Sequence, residues 1–487
     1  MDEGTGVVIA SNRGPVSFVK GPDGFSTTRG AGGLAGALDP VARQLGHDAV
    51  WISATTSDDD RDALHAGLCD GLERELGYAV YMLDIDKETY KKYYDTVSNR
   101  MLWFANHCLW DELGIDGFGE EEIAAWDAAY EQVNRRFAAA VSEVASPGGL
   151  VLFQDYHLYT APGHLRSIRP DQVIFHFTHS SFCSVEGLDR LPKPLPKRVI
   201  EGMLGADLLG FHVAQWVHGF LDCAERIGAR VDRARGRVDH GDRTTWVREY
   251  PIQVDAGFLR QRSRQVHATE WANRFLDRTR KGPLLVRADR SEPSKNIVRG
   301  FEAFGMLLDR RPDIAKDARF VACVYPSRQS MPEYQRYTRS IKEAVASVVA
   351  RHPGSIELFM EDDFDRTLGA LRVYDVLLVN PIMDGMNLVA KEGPIVNERD
   401  GLLVLSTGAG SFEEMGDASI QIEDPLDVTA TAAALERALD MEADERSKRA
   451  EALRRSAQAR EPAWWIDTQL ADLEAIAAGD EPLTPPC

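Results

Sequence analysis

The stretch from Asp384 to Glu392 has the residue types of a site that binds a phosphorylated sugar. It reads Asp-Gly-Met-Asn-Leu-Val-Ala-Lys-Glu and follows an apolar run at 376–379, so we expect it to connect a strand to a helix. Such a connection offers backbone N–H groups to a phosphate. Asp384 then stands at the strand tip, and Glu392 is placed to accept hydrogen bonds from ribose hydroxyls. The stretch predicts a sugar-nucleotide site, with an ordinary strand-to-helix connection as the alternative.

Three cations follow two other apolar runs in the same half of the chain. Arg290 and Lys295 come shortly after the run that begins at Leu284, and Arg328 follows the run at 319–325. Two neighbouring cations suit a diphosphate, and a planar guanidinium fork matches a phosphate monoester. Because open parallel sheets bind ligands at the carboxyl ends of their strands, these positions indicate a phosphate site. Solvated surface cations are the alternative.

In the first half of the chain, a carboxylate and an imidazole follow two successive apolar runs. Asp155 comes directly after the first of these runs, and His179 follows the second. On adjacent strand tips the two side chains are placed to hold sugar hydroxyls, or to act as acid and base. The alternative is a histidine that caps a helix and an aspartate in a local turn.

Two features nearer the start of the chain also favour a phosphate ligand. Arg13 follows the first apolar run, and a glycine-rich loop at 29–36 comes after it. Glycines let a ligand approach backbone N–H groups closely, although such loops are as often structural. The aromatic stretch at 93–103 contains Tyr94, whose phenol is able to donate to a phosphate oxygen. Trp103 in the same stretch fits a buried helix face better than Tyr94 does.

Short apolar runs alternate with helical patterns along the whole chain, which is typical of parallel sheets covered on both faces. We therefore expect an α/β fold with two parallel-sheet domains that divide near residue 256. The polar stretch at 234–248 is predicted to belong to the linker region, and the proline-rich end at 481–487 to be loose. The predicted strands are 6–10, 49–53, 150–154, 173–177 and 207–211, then 284–287, 319–325, 356–359, 375–379 and 402–406.

Composition narrows the class of protein further. The 487 residues are 44% hydrophobic and carry a formal charge of −20. That charge argues against nucleic acid as a partner, and no apolar run approaches the roughly 18 residues of a membrane span. The chain begins without a basic segment, and its six cysteines lack a paired spacing. We expect a cytoplasmic protein that acts on small molecules, away from membranes. The sequence leaves the oligomeric state open, a homo-oligomer included.

Taken in chain order, these motifs resemble those of the trehalose-6-phosphate synthase family. The resemblance extends from residue 6 to about residue 477. It implies two Rossmann-like domains facing across a cleft, the GT-B architecture of a retaining glycosyltransferase that uses neither metal nor cofactor. The domains would be 1–256 on the acceptor side and 257–460 on the nucleotide-sugar side, with a helix at 461–480 crossing back to the first domain.

The resemblance also implies a role for each candidate residue. Glucose 6-phosphate, the acceptor, would be held by Arg13, Tyr94, Trp103, Asp155 and Arg328. A nucleoside diphosphate glucose, the donor, would be held by Gly33, His179, Arg290, Lys295, Asp384, Gly385, Met386, Asn387, Leu388 and Glu392. The residues expected at the reacting bond are Asp155, His179, Arg290, Lys295 and Asp384. Family chemistry implies attack on the face from which the diphosphate departs, so that the product retains its anomeric configuration.

Local departures from the family pattern leave other substrates open. The family usually has Ile-Pro-Phe-Pro or Thr-Pro-Trp after the histidine, whereas residues 180–183 read Ser-Ser-Phe-Cys. Ala54 stands where many members have a second tryptophan, and the loop from Arg290 reads Arg-Ser-Glu-Pro-Ser-Lys-Asn. The alternatives are a synthase of another phosphorylated glycoside such as glucosylglycerol phosphate, a pseudo-glycosyltransferase acting on cyclitols, and a non-catalytic sensor of sugar phosphate.

The acidic loop at 360–365 bears on the base of the donor. It reads Met-Glu-Asp-Asp-Phe-Asp and follows the predicted strand at 356–359. A carboxylate pairs well with the N–H and amino group of guanine, whereas uracil offers two carbonyl acceptors. We therefore expect GDP-glucose to be preferred over UDP-glucose, with an acidic turn that caps a helix as the alternative.

Overall fold

Each of two compact units is built on its own sheet of mainly parallel strands. The first unit comprises Met1–Pro251 together with Trp465–Cys487, and the second comprises Ile252–Trp464. The divisions predicted from the sequence were placed at residues 256 and 460. The computed structural model describes residues 5–29, 33–276 and 282–487.

The first unit contains a nine-stranded sheet and a separate hairpin. Its strands are β1 (Thr5–Ser11), β2 (Val16–Gly21), β3 (Gly24–Arg29), β4 (Ala49–Ala54), β5 (Ala79–Leu83), β6 (Ala145–Gln154), β7 (Val173–Phe177), β8 (Leu208–Phe211), β9 (Arg230–Asp232), β10 (Arg237–His240) and β11 (Arg243–Glu249). The sheet order is β5-β4-β1-β6-β7-β8-β11-β10-β9, and β2 pairs with β3. Neighbours from β5 to β11 are parallel, whereas β10 is antiparallel to both of its neighbours.

Helices cover this sheet between its strands. The α-helices are Gly33–Leu45, Asp58–His65, Leu72–Leu76, Lys87–Lys91, Trp103–Asn106, Trp110–Leu113, Glu120–Ala125, Glu131–Val144, Ala161–Ile168, Val185–Asp189, Leu195–Met203, Ala214–Arg226 and Pro462–Ala477. Two π-helical segments, Lys92–Leu102 and Trp126–Tyr130, continue the neighbouring α-helices. Short 3-10 turns lie at Gly46–Asp48, Leu68–Gly71 and Tyr156–Leu158.

The second unit contains a six-stranded parallel sheet. Its strands are β12 (Leu284–Arg290), β13 (Arg319–Tyr325), β14 (Ile356–Phe359), β15 (Val376–Val379), β16 (Leu402–Ser406) and β17 (Ile420–Ile422), in the order β14-β13-β12-β15-β16-β17. The α-helices are Ala256–Ser263, Val266–Phe275, Ile297–Arg310, Pro332–Arg351, Phe364–Val373, Val389–Val396, Phe412–Met415, Val428–Leu439 and Ala443–Ser456, with 3-10 turns at Pro293–Lys295 and Gly416–Ala418.

The strands of the second unit are buried on both faces. Leu284 and Val286 lie in one hydrophobic cluster, whereas Leu285 between them lies in another. Successive side chains of a strand point to opposite faces, so each strand contributes to two cores and its sequence is almost continuously apolar. This is why all ten predicted strands are present, and the predicted α/β class with a parallel sheet in each of two units is confirmed.

Two predictions for the first unit were wrong. The polar stretch at 234–248 is part of the sheet, because it forms β10 and most of β11. The proline-rich end is also held in place. The Thr484 amide donates to a carboxylate oxygen of Asp472 (2.9 Å), and Arg248 Nε donates to the Thr484 carbonyl oxygen (2.7 Å).

No α-helix in the described part of the chain combines the length and the apolar character that crossing a bilayer requires.

Candidate functional site

Arg13 and Tyr94, two of the predicted acceptor residues, are in contact in the first unit. Arg13 follows β1, and Tyr94 lies in the π-helical segment Lys92–Leu102. A guanidinium N–H of Arg13 donates to the Tyr94 hydroxyl (3.2 Å). The Tyr94 ring stacks on Tyr90 and on His157, with ring centroids 5.4 and 5.6 Å apart. The stack fixes the phenol beside the guanidinium group, and the pair offers several donors to a phosphate oxygen.

Trp103 belongs to the aromatic core of the first unit. Its side chain is buried and stacks on His107, with ring centroids 3.9 Å apart. The ring of Tyr156 lies 5.4 Å from it. The structure therefore accounts for Trp103 by packing, and its predicted role in binding the acceptor stays a prediction.

Asp155 and His179 lie on neighbouring strand tips, as the sequence predicted. Asp155 follows β6 and accepts a hydrogen bond from the His179 amide through Oδ1 (3.2 Å). Its other carboxylate oxygen is 3.8 Å from His157 Nδ1. Asp155 has a φ of 70°, in the left-handed region that a non-glycine residue occupies at a cost of about 1–3 kcal/mol. Such strain is typical of functional positions.

The His179 imidazole is held as a neutral donor. Its Nε2 is 2.9 Å from the side-chain oxygen of Gln154, the last residue of β6. With that oxygen as the acceptor, Nε2 carries the proton and Nδ1 is left as an acceptor. Burial holds the pKa of His179 well below its usual value, and the nearby His212 and His176 lower the pKa further. The ring is thus able to bind a sugar hydroxyl but does not supply positive charge.

Gly33 is the first residue of the helix Gly33–Leu45. The first-turn amides of a helix have no acceptor within the helix, so they are available to an anion. The rest of the predicted glycine-rich loop, residues 30–32, lies outside the described residues. The role of the Gly33 amide at a donor phosphate stays a prediction.

In the second unit a buried carboxylate lies between two of the predicted cations. Arg290 is the last residue of β12, and Arg328 follows the neighbouring strand β13. Arg290 Nε is 3.3 Å, and a terminal nitrogen of Arg328 is 3.5 Å, from the same oxygen of Glu292. Glu292 was not among the predicted site residues. The signal that points to it is an acidic residue between two predicted cations, Arg290 and Lys295.

Lys295 and Asp384 form an ion pair in which both side chains are largely buried. The side-chain amide of Asn387 also donates to the same carboxylate oxygen of Asp384 (2.9 Å). Asn387 has a φ of 68°, which asparagine tolerates better than most residues. The structure therefore brings together Lys295, Asp384 and Asn387, which the sequence assigned to one donor site.

The loop from Asp384 to Leu388 is the second half of the connection between β15 and the helix Val389–Val396, which the sequence predicted to join a strand to a helix. A second loop, after β16, holds it in place: the Asp384 amide donates to the Gly408 carbonyl (2.9 Å), and the Ser411 amide donates to the Met386 carbonyl (2.7 Å). A Cβ on Gly410 would clash with the carbonyl oxygen of Gly385, so only glycine fits there. Two backbones packed this closely form a rigid platform beside Lys295.

Glu392 is half-buried in the helix Val389–Val396. Burial raises the pKa of its carboxyl group to about 7. The neighbouring Lys391 is fully buried, pairs with Glu414, and donates to the Ile252 carbonyl (2.9 Å). Lys391 anchors the helix, which leaves Glu392 as the carboxyl group available to a ligand, although its ribose role stays a prediction.

Several carboxylates of the acidic loop at 360–365 already have partners. Asp363 caps the helix Phe364–Val373 by accepting from the Arg366 amide (2.9 Å), and Asp365 pairs with Arg262 (2.7 Å). Glu361 and Asp362 are exposed, with one oxygen of Glu361 3.4 Å from Arg366. The carboxylates that remain for a base are therefore those of Glu361 and Asp362.

Cations at strand tips beside a glycine loop that opens a helix are the features with which α/β proteins bind phosphorylated ligands. A family model described as glycosyltransferase family 20 matches residues 5–475. The chain belongs to glycosyltransferase family 20, and it is an enzyme.

Known proteins support the same resemblance. A trehalose-6-phosphate synthase of Mycobacterium sp. (strain KMS) is 32% identical over 498 residues, which cover 98% of this chain and 96% of that protein. The solved structure of an alpha,alpha-trehalose 6-phosphate synthase from Burkholderia multivorans has a TM-score of 0.82 at 26% identity and covers 98% of this chain and 97% of that one. A structure from Burkholderia vietnamiensis, described as UDP-forming, has a TM-score of 0.81 at 25% identity and covers 98% of each chain. The resemblance stated from the sequence is confirmed.

Proposed function

We propose that the enzyme transfers glucose from a nucleoside diphosphate glucose to the anomeric hydroxyl of glucose 6-phosphate, giving trehalose 6-phosphate. The observation that carries the proposal is the arrangement in the second unit, where Arg290 and Arg328 lie at the tips of paired strands and Lys295 lies beside the Asp384 loop. Family membership and the matched synthases support the choice of substrates. Product analysis with a panel of nucleoside diphosphate glucoses tests the proposal.

In the proposed reaction the bond between the anomeric carbon and the diphosphate oxygen breaks, and a bond to the acceptor oxygen forms on the same face. Negative charge grows on the departing diphosphate as positive charge grows on the sugar ring. Arg290, Lys295 and the amides after Asp384 face the first of these charges, so electrostatic stabilisation is the main contribution of the protein. The departing phosphate oxygen accepts the proton of the acceptor hydroxyl. We propose that these cations supply the charge neutralisation and that no metal ion or cofactor takes part.

Residues of the first unit have proposed roles of their own. Arg13 and Tyr94, whose contact is described above, would bind the phosphate of glucose 6-phosphate. Asp155 would accept from a hydroxyl of the acceptor sugar, and the neutral His179 would bind the donor glucose. We also propose that the reaction takes place in the cytoplasm, because Cys69, Cys183, Cys223 and Cys323 are buried thiols, as a reducing compartment favours.

We further propose that GDP-glucose is preferred over UDP-glucose. The exposed carboxylates of Glu361 and Asp362, in the loop after β14, support this choice, since a carboxylate pairs with guanine and repels uracil carbonyls. The double variant E361Q/D362N replaces both carboxylates with amides. It should lower the ratio of kcat/KM for GDP-glucose to kcat/KM for UDP-glucose about 10-fold. That is the expected effect of losing one hydrogen bond to a charged group.

The matched control for the donor experiment is E302Q, which neutralises an exposed carboxylate on the helix Ile297–Arg310. This variant should keep the wild-type ratio. A clear preference of the wild-type enzyme for UDP-glucose would contradict the carboxylate argument. A preference for UDP-glucose is the competing outcome, because the matched structure from Burkholderia vietnamiensis is described as UDP-forming.

Binding of a nucleoside diphosphate should release a proton from Glu392. Its pKa of about 7 in the free protein means that the carboxyl group is largely protonated at pH 6.5. Ribose hydroxyls that donate to the carboxylate favour its ionised form and lower the pKa, so roughly half a proton or more should leave on binding. Calorimetry at pH 6.5 in two buffers of different ionisation enthalpy measures this number. The release should be smaller in E392Q by the share of Glu392, because the terminal phosphate of the ligand also releases protons at this pH, and equal release by E392Q and the wild type would exclude the ribose role.

A further inference from the structure

Glu292 occupies an unusual position between the cations of the second unit. It is completely buried, two residues beyond the end of β12. Its amide donates to the Arg290 carbonyl (2.7 Å), and its own carbonyl accepts from the Lys295 amide (3.0 Å). The backbone of this one residue thus lies within the loop that carries both cations proposed to bind the diphosphate.

The side chain of Glu292 links two neighbouring strand tips. Oε1 accepts from the Ser327 hydroxyl (2.8 Å), and the same oxygen is 3.3 Å from Arg290 and 3.5 Å from Arg328. Ser327 and Arg328 follow β13, whereas Arg290 ends β12. The carboxylate therefore contacts one cation assigned to the donor diphosphate and one assigned to the acceptor phosphate.

The two arginines differ in exposure. The Arg290 side chain is 52% exposed, whereas that of Arg328 is 9% exposed and donates to the Tyr334 hydroxyl (2.5 Å). A guanidinium group has five N–H donors, so each arginine is able to donate to Glu292 with one edge and to a phosphate with another. Both distances to Glu292 exceed the about 2.7–2.9 Å of a tight charge-assisted hydrogen bond. The contact with Glu292 therefore does not use all the N–H donors of either guanidinium group.

The carboxyl group of Glu292 is ionised, but one of its two oxygens lacks a hydrogen bond. Burial alone would raise the pKa of the carboxyl group, but Arg290, Arg328 and Lys295 hold it at about 2. Across the described residues, Oε2 of Glu292 is a buried oxygen without a hydrogen-bond donor. Buried polar atoms are satisfied in the great majority of cases, so an unsatisfied carboxylate oxygen under two cations is unexpected for a purely structural ion pair.

We infer that Glu292 is a positioning residue: one buried carboxylate that orients the guanidinium groups of Arg290 and Arg328 toward the phosphates of the two substrates. The inference rests on the proposed function. It adds a residue that touches neither substrate and acts through the two arginines. It also links the donor and acceptor phosphates through one shared anion.

Neutralising Glu292 has two opposed effects on catalysis. Removing a negative charge makes the surroundings of Arg290 and Arg328 more positive, which favours phosphates in the ground state. Releasing the guanidinium groups removes the orientation that the transition state needs. E292Q is isosteric and still accepts from Ser327, so kcat should fall about 10-fold or more while neither KM rises. A smaller fraction of folded enzyme also lowers the apparent kcat at constant KM, so thermal denaturation and the comparison with E292D must exclude that explanation.

The experiment compares wild type, E292Q, E292D and a matched control. D375N is the control, because Asp375 pairs with Arg399 (3.1 Å) and accepts from the Leu284 amide (2.8 Å) at the opposite end of the same sheet. Steady-state kinetics gives kcat and both KM values, calorimetry gives Kd for GDP and UDP, and thermal denaturation reports folding. E292D, which keeps the charge, should retain more kcat than E292Q, and D375N should keep the wild-type kcat.

Three results would overturn the inference: wild-type kcat in E292Q, equal kcat in E292D and E292Q, or a parallel rise of KM and Kd in E292Q at unchanged kcat. If E292Q does not fold, E292D decides: it keeps the charge but shortens the side chain, so its kcat should lie below the wild-type value, and an unchanged kcat counts against the inference. A wild-type enzyme that makes no trehalose 6-phosphate would refute the proposed function instead. In that case the role of Glu292 is tested by the binding of GDP and UDP. A higher Kd for these nucleotides in E292Q than in the wild type would overturn the inference.

Discussion

Arg290→Ala should lower kcat by about 10²-fold or more, because the guanidinium group stabilises charge that grows on the diphosphate in the transition state. Half of the Arg290 side chain is exposed, and Arg328 stays beside the buried carboxylate of Glu292, so the loss of Arg290 should lower the free energy of unfolding less than the loss of Lys295 does. Lys295→Ala should lower kcat to a similar extent. It should also destabilise the protein, because it leaves the largely buried carboxylate of Asp384 without its cation. Steady-state kinetics with saturating substrates measures both effects.

The control for this prediction is Arg310→Ala. Arg310 is an exposed cation at the end of the helix Ile297–Arg310, so its loss changes the net charge equally without touching a strand tip. Its kcat should stay at the wild-type level. Near-normal turnover in Arg290→Ala, measured on protein with an unchanged melting temperature, would remove Arg290 from the proposed mechanism.

Arg328→Ala should chiefly raise KM for glucose 6-phosphate, by about 10-fold to 100-fold. A hydrogen bond to a charged group contributes about 1.5–3 kcal/mol, and that contribution is present in the ground state as well as in the transition state. Arg328 has a φ of 44°, so Arg328→Lys is the matched variant, since it keeps a cation at the same backbone position. Lysine lacks the planar fork and should recover only part of the affinity.

The acceptor specificity distinguishes this role of Arg328 from a general loss of function. Free glucose should be an equally poor acceptor for wild type and for Arg328→Ala, because it has no phosphate for Arg328 to bind. Comparable use of glucose and glucose 6-phosphate by the wild-type enzyme would show that the acceptor-phosphate assignment is wrong.

The parts of the fold that sequence predicts well are those buried on both faces. Parallel strands such as β12 and β13 are almost continuously apolar, and the polar residue that ends such a run marks the strand tip. This is why the positions of Asp155, Arg290 and Asp384 at strand ends could be predicted without a structure. The resemblance to the family was drawn in part from the same tips and from the loop that follows β15, and the family model that matches residues 5–475 confirms the family.

Sequence fails where polar residues are satisfied by distant partners. The stretch at 234–248 looks like a linker, yet Trp246 in β11 packs among the guanidinium groups of Arg235, Arg237 and Arg248, at 5.7, 5.9 and 5.3 Å from the ring centroid. Cations that cover an aromatic ring make a strand of the sheet appear hydrophilic. A linear pattern does not contain such tertiary contacts.

The same limit applies to the candidate site. Glu292 lies next to two predicted cations in sequence, but its burial and its contact with Arg328 depend on the pairing of β12 with β13. In the acidic loop at 360–365, by contrast, the sequence suggests more candidate residues than the structure leaves. Its carboxylates look alike in sequence, whereas Asp363 and Asp365 are already engaged by a helix end and by Arg262. Only Glu361 and Asp362 are left for the proposed contact with the base.

The linkage in the product tests the central claim most directly. The enzyme is incubated with GDP-glucose or UDP-glucose, glucose 6-phosphate and EDTA, and the product is examined by NMR. We expect trehalose 6-phosphate in which both anomeric carbons have the α configuration, formed at an undiminished rate with the chelator present. An inverted linkage, a different acceptor position, or release of free glucose without transfer would contradict the proposed reaction.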